Sequence, residues 1–155
     1  MIDVNKGYVE KRRNKDFRRI IAAVDGSSYA TKAAKKAISL AKTNGVEIVA
    51  LYVVDTPRLT QTIPYDDVSL PWEAILTKQG KEVLNAVEKM GKAAGVTVIK
   101  KLVEGLPEEV IINEGKKDDL IVMGCKGITG LDRILLGSVC EKVSHHATSA
   151  VLIVR

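Results

Sequence analysis

Five short, mainly apolar runs recur along the chain, separated by stretches whose apolar residues repeat at helical spacing. The runs lie at Ile20–Val24, Glu47–Val54, Thr97–Glu104, Leu120–Met123 and Ala150–Val154. Apolar runs of this length are typical of strands that are buried on both faces of a sheet. Strands that alternate with helices form a parallel sheet with right-handed crossovers. The pattern therefore predicts a doubly wound α/β fold with five strands.

Four helices are predicted between these strands from residue spacing and from residues that cap helix ends. The first begins near Ser27 or Ser28, either of which can act as its N-cap, and it ends at Asn44-Gly45. The other three helices are predicted at Glu73–Ala94, Leu106–Gly115 and Gly137–Ala147.

The segment Asp55–Trp72 carries three prolines and the only tryptophan of the chain. Because proline lacks an amide donor and restricts the residue before it, three prolines argue against a continuous helix. Connections of this length in a compact domain are usually either functional or disordered. Two interpretations stay open here, a lid or interface loop and a flexible connection.

The net charge of +5 is concentrated near the start, where residues 1–19 hold seven basic and three acidic residues. We interpret residues 1–17 as a basic extension and residues 18–155 as one domain. A nucleic-acid binder carries its charge on the folded body, so no nucleic-acid partner is expected. With neither a membrane-spanning run nor a secretory signal, a cytoplasmic location is expected. Cys125 and Cys140 are too few for a disulfide scaffold and are expected to be reduced.

Ligands of an open parallel sheet bind beyond the carboxyl ends of the strands, where the strand order reverses. Asp25 follows the first predicted strand, Asp55 the second, and Gly124 the fourth. If the first and fourth strands are neighbours, Asp25 and Gly124 face each other, and the absent Cβ of Gly124 lets a ligand approach the main chain. Asp25 has a second interpretation, because an aspartate here can simply cap the following helix.

The segment Gly124–Ser138 holds four glycines, and glycine is costly to order, so their concentration needs an explanation. Gly137 and Ser138 open the last predicted helix, whose unpaired N–H groups and partial positive charge favour an anion. Lys126 and Arg133 can add positive charge. The spacing matches neither a Walker A loop nor a Rossmann fingerprint. From the residues alone, a phosphate cradle and a structural turn remain equally open.

The run Gly124-x-x-Gly127-x9-Gly137-Ser138 resembles the ATP-binding signature of the universal stress protein family. The surrounding residues fit as well, with V-D-G-S after the first strand, D-L-I-V-M-G before the glycines, and L-L-G-S-V followed by a closing V-L-I-V-R. The similarity covers about Arg18 to Arg155. It implies an adenine nucleotide alpha hydrolase-like fold, with three α/β/α layers around a five-stranded parallel sheet in the order 3-2-1-4-5.

The resemblance implies that the chain binds ATP or another adenine nucleotide, with or without Mg²⁺ or Mn²⁺. Asp25 would contact the ribose or phosphates, the Val53 backbone would meet adenine, and Gly127 would approach the phosphates. The implied nucleotide-binding residues are Ala23, Val24, Asp25, Val53, Met123, Gly124, Gly127, Gly137, Ser138 and Val139. No catalytic and no metal-ligating side chain is assigned. The family also dimerises through its last strand, which implies a homodimer formed through Ala150–Val154.

Two functions are compatible with these residues. The first is a regulatory stress-response module that binds ATP, hydrolyses it slowly or not at all, and signals to an unidentified protein partner. The alternative is a stress-protective or interaction dimer that ignores nucleotide, although such family members typically lack the full glycine signature. A true ATPase or phosphotransferase has less support, because no general base or arginine finger is identifiable. His145 and His146 point about 100° apart on a helix and cannot chelate one metal together.

Overall fold

The computed structural model describes residues 16–62, 71–127 and 136–155. Its elements are β1 Ile20–Ala23, α1 Ser28–Asn44, β2 Ile48–Val54, α2 Thr56–Thr62, α3 Trp72–Ala94, β3 Val98–Glu104, α4 Pro107–Glu114, β4 Leu120–Gly124, α5 Ser138–His146 and β5 Ala150–Val154. All the predicted strands and helices are present. Among the described helices, none is long and apolar enough to cross a membrane. Most of the predicted basic extension lies outside the described residues, but Phe17 at its end packs against the core.

The five strands form one parallel sheet in the order β3-β2-β1-β4-β5. β1 lies at the centre, where Ile20 is in register with Ile48 of β2 and with Leu120 of β4. The chain runs outward from β1 to β3 and then returns to the other side of β1 to form β4. The strand order therefore reverses between β1 and β4, and both the doubly wound fold and the implied strand order are confirmed.

Helices α1 and α3 cover one face of the sheet, and α4 and α5 cover the other. Alternate residues of β1 pack on opposite faces of the sheet. Ile20 and Ala22 belong to the core beneath α1, whereas Ile21 and Ala23 belong to the core beneath α4 and α5. Because both faces are buried, every position of the strand must be apolar, which explains the continuous run in the sequence.

The structure differs from the sequence prediction at the start of the segment Asp55–Trp72. Thr56–Thr62 forms helix α2 where the sequence predicts a loop. Pro57 is its second residue, within the first turn, where a helix needs no amide donor. Pro71 is the N-cap of α3, so these two prolines border helices and interrupt none. Residues 63–70, which make up most of the predicted lid or interface loop, lie outside the described residues.

Candidate functional site

A cavity opens at the carboxyl end of the sheet between β1 and β4, where the strand order reverses. The cavity volume is about 180 Å³, and the cavity is partly open to solvent. Its described lining consists of Ala23, Val24, Asp25, Ala30, Leu51, Val53, Pro107, Ile111, Met123, Gly124, Lys126, Gly127, Gly137, Ser138, Val139 and Cys140. Every residue that the sequence analysis selected as nucleotide-binding is among them.

Asp25 is oriented by the turn that follows β1. Its Oδ1 accepts a 2.9 Å hydrogen bond from the N–H of Ser27. The N-cap of α1 is Ser27, whose Oγ accepts a 3.1 Å hydrogen bond from the N–H of Ala30. Asp25 is therefore not the helix cap that its second interpretation suggested. It shapes the turn before the cap, and its carboxylate lies in the cavity lining.

Gly124 lacks a side chain because the first turn of α1 lies against it. A Cβ on Gly124 would lie 2.8 Å from both the carbonyl carbon and the Cβ of Tyr29, and 3.0 Å from the N of Ala30. The buried face of α1 consists almost entirely of alanine, which lets the helix approach the sheet this closely. The sequence expectation that the missing Cβ makes room for a ligand is corrected, because α1 fills that space.

Gly127 and Gly137 have different steric surroundings. A Cβ on Gly127 would lie 2.8 Å from Oδ2 of Asp25, so a side chain here would displace the carboxylate. A Cβ on Gly137 would make only ordinary contacts, the closest at 3.5 Å from the carbonyl oxygen of Cys125 and from the Cα of Lys126. Gly127 thus preserves the position of Asp25, and Gly137 tolerates a small side chain.

The first turn of α5 is anchored to the end of β4. The N–H of Gly137 donates a 2.8 Å hydrogen bond to the carbonyl of Cys125, so this N–H is already engaged. The N–H groups of Ser138, Val139 and Cys140 lie in the first turn, where a helix offers no backbone acceptor. These three groups and the helix dipole make the turn suitable for an anion. Gly130 and Arg133 lie outside the described residues.

One wall of the cavity comes from residues that the sequence analysis did not select. Pro107 and Ile111 of α4 line it together with Leu51 of β2. The missing signal was topological, since α4 follows the edge strand β3 and packs beside α5 on the same face. The sequence signal for this wall is a set of apolar residues near the carboxyl edge of the sheet, on a helix that covers the same face as the last helix. This wall makes one side of the cavity apolar.

A cluster of four charged side chains lies next to Pro107. This Glu108 cluster consists of Asp55, Arg58, Glu108 and Lys142. Glu108 is 4% exposed and accepts hydrogen bonds from Arg58 at 2.7 and 2.9 Å and from Lys142 at 2.7 Å, while Arg58 also pairs with Asp55 at 2.8 Å. Burial alone would raise the pKa of Glu108, but the hydrogen bonds from Lys142 and Arg58 outweigh it and lower the pKa. The cluster links α2, α4 and α5.

The two cysteines are buried free thiols, and Cys140 lines the cavity. Burial, with a smaller effect of Cys125, raises the pKa of Cys140 to about 11, so the thiol is protonated at neutral pH and is a poor nucleophile. In the part of the chain that the structure describes, no group of three or more His, Cys, Asp or Glu side chains could hold a metal ion.

A family model described as the universal stress protein family matches residues 16–155. The chain belongs to the universal stress protein family. Universal stress protein MJ0531 of Methanocaldococcus jannaschii is 43% identical to it over 148 residues, which cover 90% of this chain and 82% of the relative. The resemblance inferred from the glycine signature is therefore confirmed.

Solved structures similar to this universal stress protein share its fold. The structure of hypothetical protein MJ0577 has a TM-score of 0.74 at 28% identity and covers 89% of this chain and 95% of that one. A universal stress protein in complex with cAMP has a TM-score of 0.65 at 21% identity, with 90% and 97% covered. One from Archaeoglobus fulgidus in complex with dAMP has a TM-score of 0.60 at 18% identity, with 90% and 98% covered.

Proposed function

We propose that this universal stress protein is a regulatory module that binds an adenine nucleotide, ATP in particular, in the cavity between β1 and β4. The observation that carries the proposal is that an apolar wall, the Asp25 carboxylate and the start of α5 meet in one cavity. These features suit a base, ribose hydroxyls and phosphates respectively. The cAMP and dAMP complexes of structurally similar proteins support an adenine nucleotide as the ligand.

In this proposal each part of the nucleotide has its own contacts. The base lies against Pro107 and Ile111, with the backbone of Val53 at its polar edge. Asp25, already oriented by its hydrogen bond from Ser27, accepts hydrogen bonds from the ribose hydroxyls. The phosphates lie at the unpaired N–H groups that begin with Ser138, where the helix dipole favours negative charge.

A divalent ion fits this site as a companion of the phosphates. Asp25 is the carboxylate in the described lining, and Mg²⁺ is commonly held by one or two carboxylates together with phosphate oxygens and water. Phosphate oxygens and water would hold most of the ion, with Asp25 as the nearby carboxylate, and the ion would neutralise part of the phosphate charge when bound.

We propose that nucleotide is hydrolysed slowly or not at all, so that the bound state itself is the signal passed to a partner protein. Fast phosphoryl transfer needs a group that positions the attacking water and several cations on the transferred phosphate. The described lining contains one carboxylate, Asp25, and one basic side chain, Lys126. This composition suits retention of the nucleotide better than turnover.

Calorimetric titration with ATP, ADP and AMP, with and without Mg²⁺, tests the proposal. We expect the wild-type chain to bind ATP and Gly137→Val to lose about tenfold or more in ATP affinity, because a branched side chain crowds the start of α5. The extended backbone of Gly137, with φ of −63° and ψ of 152°, suits valine, so the variant should fold. Gly137→Ala is the matched control, because its Cβ makes only ordinary contacts.

Two outcomes would count against the proposal. Absence of binding to the wild-type chain at about 1 mM nucleotide would favour the alternative, a stress-protective or interaction dimer that does not use nucleotide. Equal ATP affinity in the wild type and Gly137→Val would show that ATP binds elsewhere on the chain.

We also propose that two copies of the chain pair through β5. Among the described strands, β5 is an edge strand that pairs only with β4. Its residue Ala150 is exposed, and the apolar side chains from Val151 to Val154 are half-buried. An apolar edge strand of this kind requires a partner or protection. Analytical ultracentrifugation should give twice the monomer mass for the wild type and a shift to monomer for Ala150→Lys. Ile99→Lys on the opposite edge strand should stay dimeric, and a monomeric wild type would contradict the proposal.

A further inference from the structure

We propose that Lys126 sets the preference of the cavity for nucleotides that carry several phosphates over nucleosides. The inference rests on the proposed function and assigns a specificity-determining role to a residue between Gly124 and Gly127. The resemblance to the family gave this position no role.

The charges of the described lining are few. Asp25 and Lys126 are its two charged residues, and all the others are apolar, glycine or serine. Neither of them forms an ion pair with another described residue. The carboxylate of Asp25 repels phosphate, so Lys126 is the side chain that can offset this repulsion.

The nearby basic side chains of the Glu108 cluster are already engaged. Arg58 donates to both carboxylate oxygens of Glu108 and pairs with Asp55, and Lys142 donates to Glu108 at 2.7 Å. Lys142 lies one turn after Ser138 on α5, close enough in sequence to have served the phosphates. Its hydrogen bond to Glu108 directs the Lys142 side chain towards α4. Among the described residues, Lys126 is therefore the cation that is available to the ligand.

The backbone fixes where the Lys126 side chain begins. The carbonyl of the preceding residue, Cys125, accepts a 2.8 Å hydrogen bond from the N–H of Gly137. A Cβ built on Gly137 would lie 3.5 Å from the Cα of Lys126. The Lys126 stem thus starts directly beside the first turn of α5, at the anion-favouring end of the cavity.

This arrangement has a measurable consequence for specificity. Adenosine carries no charge, so its affinity should not depend on Lys126. ATP carries several negative charges next to Asp25, and a charge-assisted contact with an ammonium group is stronger than a neutral hydrogen bond. Lys126 therefore affects the ratio of ATP affinity to adenosine affinity, whereas a residue that only supports the fold would change both affinities together.

The experiment compares the wild type, Lys126→Gln and Lys126→Arg at one fixed salt concentration. ATP affinity is measured by calorimetry, and adenosine affinity by displacement of bound ATP. We expect Lys126→Gln to lose about tenfold in ATP affinity, to keep its adenosine affinity within about twofold, and Lys126→Arg to retain both. Lys117→Gln is the matched control, because it removes the same charge from an exposed residue that precedes β4, at the opposite edge of the sheet.

The outcomes separate this inference from the proposed function. A wild type that binds neither ATP nor adenosine overturns the proposed function, and this inference with it. If the wild type binds ATP, a loss of less than about fivefold for Lys126→Gln overturns the inference alone. Equal losses of ATP and adenosine affinity also overturn it, because they indicate damage to the cavity and no discrimination by charge.

Discussion

Gly124→Ala is expected to lower the free energy of unfolding by about 3 kcal/mol, at the upper end of the cost of overpacking. The added methyl group would lie 2.8 Å from the carbonyl carbon of Tyr29 and 3.0 Å from the N of Ala30. Both are backbone atoms of the first turn of α1, so no flexible side chain can move aside. The turn itself is held by the Ser27 cap and by packing of the alanine face of α1 on the sheet.

Thermal unfolding checks this expectation. A loss of this size should lower Tm by roughly 6–12 °C for a chain of this length. Gly137→Ser is the matched control, because its Cβ makes only ordinary contacts and serine is a favoured N-cap residue. A Tm of Gly124→Ala equal to that of the wild type would mean that α1 can withdraw from β4, contrary to the packing described above.

The fold was predictable because its elements depend on local signals. β1 is apolar at each position since both of its faces are buried, and α1 is capped by Gly45, whose φ of 64° is one that few other residues adopt. The alternation of such elements leaves few topologies. The strand order itself came from the family resemblance, because apolar runs do not reveal which strands are neighbours.

The lining of the cavity was partly predictable, whereas the reasons for its residues were not. The sequence identified Asp25, Gly124 and Gly127 as site residues, but their contacts depend on tertiary packing. The missing Cβ of Gly124 leaves room for the first turn of α1, and the missing Cβ of Gly127 leaves room for the Asp25 carboxylate. Helix α2 was missed because a count of prolines does not tell a proline in a first turn from one in a helix interior.

The burial of Glu108 could not be predicted from the sequence either. Nothing near it in the sequence marks it as different from the exposed Glu109 beside it. Its burial results from the meeting of α2, α4 and α5, whose residues Arg58 and Lys142 are 50 and 34 positions away. A charged residue is buried only when it is paired, and such pairing is visible only after the chain has folded.

A second buried carboxylate, Asp119, joins the two arginines that precede β1 to the turn before β4 at the amino edge of the sheet. Its side chain is 0% exposed. It accepts hydrogen bonds from Arg18 at 3.1 and 3.2 Å, from Arg19 at 3.2 Å and from the N–H of Lys116 at 3.0 Å. Four N–H donors from three residues therefore depend on one carboxylate.

Asp119→Ala is expected to lower the free energy of unfolding by about 3 kcal/mol, because removal of one partner of a buried charge pair leaves its donors without an acceptor. The value lies at the low end of that range since the Arg18 side chain is 58% exposed and can be hydrated. Urea unfolding at pH 7 measures the loss. Asp118→Ala is the matched control at an exposed neighbouring position, and its stability should stay within about 0.5 kcal/mol of the wild type.

The pH dependence of stability shows whether the charge of Asp119 is responsible. Burial alone would raise the pKa of Asp119, but hydrogen bonds from Arg18 and Lys116 and the charge of Arg19 outweigh it and lower the pKa below its ordinary value of 3.8. The unfolded chain then binds a proton more readily than the folded one. The stabilisation that comes from the Asp119 charge is therefore full above pH 3.8 and declines as the pH falls below it.

The difference in free energy of unfolding between the wild type and Asp119→Asn should accordingly be constant from about pH 7 to 5 and become smaller below about pH 4. Glu108 titrates in both proteins and cancels in this difference. A gap that persists unchanged to about pH 3 would assign the loss to altered packing and would contradict the ion-pair explanation.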